Sequence, residues 1–238
     1  MMLISEVKKS GLLLLSQKNL NSFEIYNFLK DKNLLQKSPK YWWPSVGTFE
    51  VVVGSILTQN TTWHNTQKSL KNLEGFLELD SFATLDETSL KKMIKPSGFY
   101  NQKAPRVLQL SKNIKNEFHN FKTFQNQVTR AWLLSQKGIG KESADAILCY
   151  ACHREVMVVD SYTKRLLKTF DIEFKEYDEY KDFLENGIKS NFKKSELNLV
   201  FSRFHGMFVE YKFYNPSSRT SQSLSTSLSF KKRLDLFL

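Results

Sequence analysis

Cysteine is almost absent from this 238-residue chain: Cys149 and Cys152 are the only two. They make one C-x-x-C pair with no second ligand pair at a suitable spacing, so they read as two small hydrophobes in an apolar helical run. So little thiol suits a reducing compartment. Long hydrophobic runs are also missing. Residues 11–15 form a short apolar stretch, but Ser16 and Lys18 end it too early for a signal core or a membrane span. The expectation is a cytoplasmic protein with no membrane partner. His64, His119 and His153 show no metal-ligand spacing, and His205 reads first as a structural helix histidine. No internal repeat is present.

Acidic side chains are outnumbered, 24 against 35 basic ones, for a net charge of +11. That balance suits a polyanion such as nucleic acid, which would place the protein on the nucleoid. With 41% hydrophobic residues the chain can bury a real core, as one large domain or two lobes sharing a cleft.

The apolar periodicity is helical nearly throughout. Phe49, Val52, Val53, Ile56 and Leu57 define one buried face, and Leu70, Leu73 and Leu77 continue the pattern. Leu90, Met93 and Ile94 mark a short helix that stops before Pro96. Further helices are expected over residues 101–118, with Pro105 in the first turn, and over 124–136, 141–152, 161–168, 177–189 and 195–211. Only residues 156–159 have strand character, and they read as a buried extended connector. After Asn215 the chain turns rich in serine and threonine, and a mobile tail is expected over 216–238.

Chemistry begins at Gly138-Ile139-Gly140. Two glycines between helices allow a tight hairpin, Ile139 would plug it onto the core, and the helix starting near Lys141 would aim free N–H groups at an anion. An ordinary helix–helix turn would look the same. Twenty residues beyond Gly140 lies Asp160, directly before a new helix. Its plain reading is an N-cap. A carboxylate held ionised at a helix N-terminus is also what an oxocarbenium-like transition state needs beside it.

These segments carry a resemblance. Residues 132–146, containing the Gly-x-Gly hairpin, together with Val158-Val159-Asp160-Ser161-Tyr162, resemble the helix-hairpin-helix and downstream aspartate of the endonuclease III superfamily of DNA glycosylases. Gly98-Phe99-Tyr100-Asn101-Gln102-Lys103-Ala104 and Leu57-Thr58-Gln59-Asn60-Thr61 resemble two further segments of that superfamily, in the same order. The resemblance implies an all-α fold of two helical lobes: a six-helix barrel, and a second lobe built from both chain ends, with the active site in the cleft between. On this chain that gives 1–46 and 155–215 to the terminal lobe and 47–154 to the barrel. It implies Asp160 as the catalytic aspartate and Gln59, or Asn60 beside it, as the residue filling the gap left by a flipped nucleotide. Phe99 becomes a wedge, and Gly138, Ile139, Gly140 and Lys141 a phosphate-binding hairpin. Lys103, Lys164 and Arg165 are further candidate phosphate contacts.

Two departures bear on the reaction. Lyase members carry a lysine two residues after the second hairpin glycine, and here Glu142 stands there. The four-cysteine iron–sulfur motif after the aspartate is missing as well. Trp42-Trp43-Pro44 and Trp63 add indole faces suited to a cationic ring, although core packing is the commoner use of such clusters. With Arg203-Phe204-His205-Gly206 they narrow the resemblance to the bacterial 3-methyladenine DNA glycosylase III branch, in which those aromatics line the base pocket. The implied activity is monofunctional excision of alkylated purines from double-stranded DNA by a monomer that needs no cofactor. A structural monovalent cation at the hairpin carbonyls is compatible with it. A bifunctional glycosylase/lyase and a non-catalytic DNA-binding module remain open alternatives.

Overall fold

A computed structural model describes residues 20–214, with side chains through Lys212. The apolar run at 11–15 and the tail at 216–238 lie outside the described residues. All regular structure among the described residues is helical, as expected. After α1 (Ser22–Lys30) come α2 (Phe49–Leu57), α3 (Trp63–Asn72), α4 (Leu79–Ala83) and α5 (Glu87–Met93). Then follow α6 (Tyr100–Phe118), α7 (Phe121–Gln127), α8 (Arg130–Ser135) and α9 (Lys141–Ala146). The chain closes with α10 (Ser161–Lys168), α11 (Tyr177–Lys189) and α12 (Leu197–Tyr214).

Two clusters of buried side chains organise these helices. The first draws on residues between Phe49 and Val158, centred on α2, which buries Phe49, Val51, Val52, Val53, Ile56 and Leu57. Three consecutive valines are poor helix formers, so it is this burial that holds α2 helical. The second cluster joins the two ends of the described chain: Ile25 and Leu29 of α1 pack with Leu184 and Ile188 of α11 and with Phe201, Phe204 and Phe208 of α12.

The connector of residues 156–159 runs between the clusters, extended as expected. Its side chains alternate, Val158 entering the first cluster and Met157 and Val159 the second. Its N–H groups find side-chain acceptors on α11: Met157 N–H donates to Glu185 Oε1 at 2.9 Å, and Val159 N–H to the Tyr177 hydroxyl at 3.3 Å. The extended connector thus has two of its N–H groups satisfied without a sheet, and it delivers Asp160 to the junction of the two clusters.

Several boundaries depart from the sequence expectation. The helix expected over 124–136 is two helices. Val128 leaves helical geometry at ψ 136°, and the Thr129 hydroxyl accepts from Trp132 N–H at 3.1 Å to start α8. Phe124, Val128 and Leu133 are all buried, so the apolar spacing runs on across the break. Helices α1 and α4 were not anticipated. Pro105 is the sixth residue of α6, not part of its first turn. The N–H it lacks would have met the carbonyl of exposed Asn101, which solvent can serve. The helix after the hairpin is α-helical only to Ala146 and continues as a π-helical turn, Ile147–Ala151. Insertions of this kind concentrate at functional sites. No helix among the described residues is long and apolar enough to cross a membrane.

Candidate active site

Asp160 caps α10. Its Oδ1 accepts two bonds from Thr163, from N–H at 2.7 Å and from the hydroxyl at 2.9 Å. Its Oδ2 lies 3.5 Å from His205 Nε2 of α12. Burial pushes this carboxyl up, but the imidazole and the two Thr163 donors together bring it below the ordinary range. The carboxylate is therefore ionised at neutral pH, fixed through one oxygen, and still partly accessible.

Glu142, on the first turn of α9, faces the same cleft. Its exposed carboxyl is raised by the surrounding protein and by the charge of Asp160, against the pull of His205 and Lys164. Two carboxylates with opposite shifts thus share one site. Among the described residues no group of three or more His, Cys, Asp or Glu is placed to hold a metal. Cys149 and Cys152 are buried, free thiols with pKa values pushed up to about 12, which fits their reading as small hydrophobes.

The tryptophans converge on the same place. Trp42 packs against both buried clusters. Its ring lies at 87° to Trp43 with centroids 6.1 Å apart, and Trp63 lies at 74° to Trp43 at 5.4 Å. Trp43 rests on Tyr150 at 5.2 Å, and Trp42 meets His205 edge-to-face at the same distance. Trp42 Nε1–H donates to Glu210 Oε1 at 3.2 Å. All three tryptophans, and Pro44 beside them, keep part of their surface open. One continuous aromatic surface therefore runs from Trp63 to the imidazole that touches Asp160.

The hairpin stands at the cleft edge. Gly138 has φ 87°, an angle that favours glycine, and Ile139 is buried as its plug. Gly140 has no neighbour within 4 Å of where a Cβ would stand, so its backbone is open to a ligand. Lys141, expected at a phosphate, instead pairs with Asp178 at 2.6 Å. Asp178 also receives Arg130, whose guanidinium clasps the fully buried Asp145 at 2.7 and 3.0 Å.

The gap-filling and wedge candidates part company. Both N–H groups of the Gln59 amide are committed to the hairpin, to Gly138 O at 3.1 Å and to Ser143 Oγ at 2.9 Å. Gln59, expected at the gap left by a flipped nucleotide, here braces two loops. Asn60 beside it is exposed, with φ 53°. Phe99 is 59% exposed and sits at φ 48° as the N-cap of α6. A large apolar side chain in left-handed backbone and in solvent has no reason in folding. Lys103 corrects another expectation: it is buried and donates to Leu57 O at 2.9 Å and Ser97 O at 2.8 Å. It ties the end of α2 to the loop before Phe99 and cannot reach a phosphate. Lys164 and Arg165 lie over the rings of Tyr180 and Tyr162 at 5.1 and 4.6 Å.

Sequence reasoning missed Tyr150 and set His205 aside. Tyr150 lies in the apolar run through Cys152 and looks like one more hydrophobe, and nothing local marks its hydroxyl. The signal at 205 was the adjacent Gly206, whose missing side chain makes room for Trp42.

Comparison with known proteins follows the same lines. The model of the HhH-GPD superfamily base excision DNA repair protein matches residues 53–189. A candidate DNA repair glycosylase of Methanocaldococcus jannaschii is 38% identical over 198 residues, 79% of this chain and 86% of its own. The crystal structure of Helicobacter pylori 3-methyladenine DNA glycosylase bound to 1,N6-ethenoadenine superposes with TM-score 0.78 at 44% identity, over 82% of this chain and 98% of that one. A non-covalent endonuclease III–DNA complex shares the fold at TM-score 0.63 and 19% identity, over 91% of this chain and 99% of that one.

Proposed function

From the premise that this chain belongs to the HhH-GPD superfamily of base excision DNA repair proteins, we propose that it is a monofunctional glycosylase for alkylated purines, chiefly 3-methyladenine, in double-stranded DNA. The observation that carries the reading is the pair of carboxylates beside three tryptophans. Asp160 is ionised and fixed, and the position at which lyase relatives carry their amine holds Glu142. The 44% identity to a 3-methyladenine glycosylase supports the substrate class.

The target bond is unreachable inside the stack, so the nucleotide must be extruded. Phe99 enters the stack, Asn60 fills the vacated position, and Gly140 and the start of α9 hold a backbone phosphate while Lys141 exchanges Asp178 for DNA. The damaged base enters against Trp42, Trp43 and Trp63, where an alkylated, positively charged ring is attracted to the indole faces. The C1′–N bond then breaks with its electron pair passing to the base. That neutralises the charge the alkyl group had placed there, so little general-acid help is needed. Asp160 stabilises the positive charge growing on the sugar. Water adds to C1′ and gives up its proton to the carboxylate or to solvent. No electrons are gained or lost, so no redox cofactor enters, and with Glu142 standing where lyase relatives carry their amine, the reading has no carbon–nitrogen adduct. No step uses a hairpin cation. The reading includes action as a monomer in the cytoplasm.

The test is base release from methylated duplex DNA, analysed by chromatography, with a borohydride trap in parallel. Free 3-methyladenine with no trapped adduct is the expected result. A trapped protein–DNA adduct would overturn the monofunctional reading, and absence of released base would overturn the substrate class.

Phe99→Gly separates the wedge from the fold. Glycine tolerates φ 48° at no steric cost and the exposed ring loses little packing. Stability should stay level or rise by up to about 1 kcal/mol. Base release from duplex DNA should nevertheless fall about tenfold or more, and release from a single-stranded oligonucleotide much less. Equal losses on both substrates would remove Phe99 from the extrusion step.

A further inference from the structure

Two polar side chains next to Asp160 have no part in the steps above. His205 is buried, and its Nε2 makes no hydrogen bond; the polar group it faces is the Asp160 carboxylate, with Oδ2 at 3.5 Å. Its Nδ1 meets the Tyr150 hydroxyl at 2.7 Å. Tyr150 is fully buried in the π-helical turn, and burial raises its hydroxyl well above the ordinary range, so it keeps its proton at every working pH. That proton has two acceptors in reach: Nδ1 at 2.7 Å and Ser202 O at 3.1 Å.

Resting on the assignment of Asp160 to catalysis, we propose that His205 is a positioning residue for that carboxylate, with Tyr150 fixing its tautomer. When Tyr150 donates over the shorter distance, Nδ1 is the acceptor and the ring proton must sit on Nε2, aimed at Asp160 Oδ2. Thr163 then holds one carboxylate oxygen and His205 the other. If Nδ1 carried the only ring proton instead, a bare lone pair would face the carboxylate. Tyr150 sets against that arrangement a hydroxyl that the apolar turn around it keeps dry. Distances at catalytic hydrogen bonds tighten once substrate is bound, and the 3.5 Å gap leaves room for that.

The surroundings support a tuned contact. Asp160 and Glu142 are the carboxylates acting on the imidazole, Lys164 acts on Glu142 from α10, and on α12 itself Glu210 accepts from Trp42 Nε1–H. Trp42 closes the remaining side of the ring edge-to-face at 82°. The imidazole therefore touches both the carboxylate and one wall of the base pocket. Correct seating of Trp42 and correct aim of Asp160 share one side chain.

The test is single-turnover base release from methylated duplex DNA across pH, with DNA affinity measured alongside. His205→Phe, which keeps a ring and loses the donor, should slow release about 10- to 100-fold, leave DNA affinity within about twofold, and move the acid limb of the profile upward toward an ordinary carboxylate. His205→Gln, which restores a donor at similar reach, should recover most of the rate and the parental acid limb. Tyr150→Phe, which keeps His205 but frees its tautomer, should give a smaller loss with the same direction of pH shift. The proposal is overturned if His205→Phe keeps the parental rate and acid limb, or if His205→Gln is no better than His205→Phe, since packing alone would then explain the residue. Should His205→Phe fail to fold, an unshifted acid limb in Tyr150→Phe overturns it instead. Asp160→Asn is run in the same series: parental activity there would sink the catalytic assignment itself, whereas an inactive Asp160→Asn beside an active His205→Phe would sink only the positioning role.

Discussion

Asp160→Asn is expected to lose base release by at least about 100-fold while folding and binding DNA as the parent does. Asparagine is as good an N-cap as aspartate. Its carbonyl oxygen can accept both Thr163 bonds that now hold Oδ1 at 2.7 and 2.9 Å, so α10 starts at the same residue. What disappears is the negative charge, and with it the stabilisation proposed for positive charge on the sugar. DNA affinity should hold or rise slightly, because a negative charge is lost opposite a polyanion and the proposed phosphate contacts lie elsewhere.

The variant also carries a pH signature. The folded-state pKa of Asp160 lies below the unfolded value of about 3.9. A depressed carboxylate contributes stability that is fully present above the unfolded pKa and is lost as pH falls through the folded one. The parent's melting temperature should therefore drop more steeply than the variant's below about pH 4, while the gap between them stays constant at neutral pH. Parallel curves would mean that Asp160 is not held as the geometry indicates. Release at the parental rate would remove it from the chemistry.

How the sequence disclosed this site, and where it went silent, follows from the range of each interaction. Asp160 was legible because its determinants are local: an apolar connector, a capping aspartate, and a helix with Thr163 three residues on. The hairpin was legible because φ 87° at Gly138 favours glycine, which leaves a mark in the sequence. Helix α1 carried a signal that periodicity did not weigh, the reciprocal Asn21–Glu24 cap. The break between α7 and α8 was hidden because Phe124, Val128 and Leu133 all face the core on either side of it. Lys103 was misjudged because its partner Leu57 lies 46 residues away, and a lysine among charges gives no sign that it will be buried. Gln59 and Asn60 were indistinguishable for the same reason: the Gly138 carbonyl that claims one of them is 79 residues distant. Local chemistry could be read in advance, and the contacts that choose between neighbours could not.

Gly206→Ala should damage both fold and pocket, while the same substitution at Gly54 should help the fold. Both glycines lie inside helices, where glycine costs up to about 1 kcal/mol relative to alanine, and both lie under one of the clustered tryptophans. A Cβ on Gly54 would stand 3.7 Å from Trp43 Cζ2, an ordinary contact, so Gly54→Ala should gain stability by removing the helical glycine. A Cβ on Gly206 would collide with Trp42 Cγ and stand 2.7 Å from Cδ2 and 2.8 Å from its Cβ. Trp42 Cβ stays in place whichever way the side chain turns, so rotating the indole does not clear the contact. Backbone must move, and Trp42 already sits at φ 67° with its Nε1–H held by Glu210. Overpacking of this kind costs about 1–3 kcal/mol, which for a domain of this size lowers the melting temperature by roughly 2–12 °C. Because the displaced ring touches His205 and belongs to the proposed base pocket, base release should fall about tenfold or more even at temperatures where the variant remains folded. A Gly206→Ala protein as stable and active as the parent would mean that Trp42 does not rest on α12, and would remove the physical link between the aromatic pocket and Asp160.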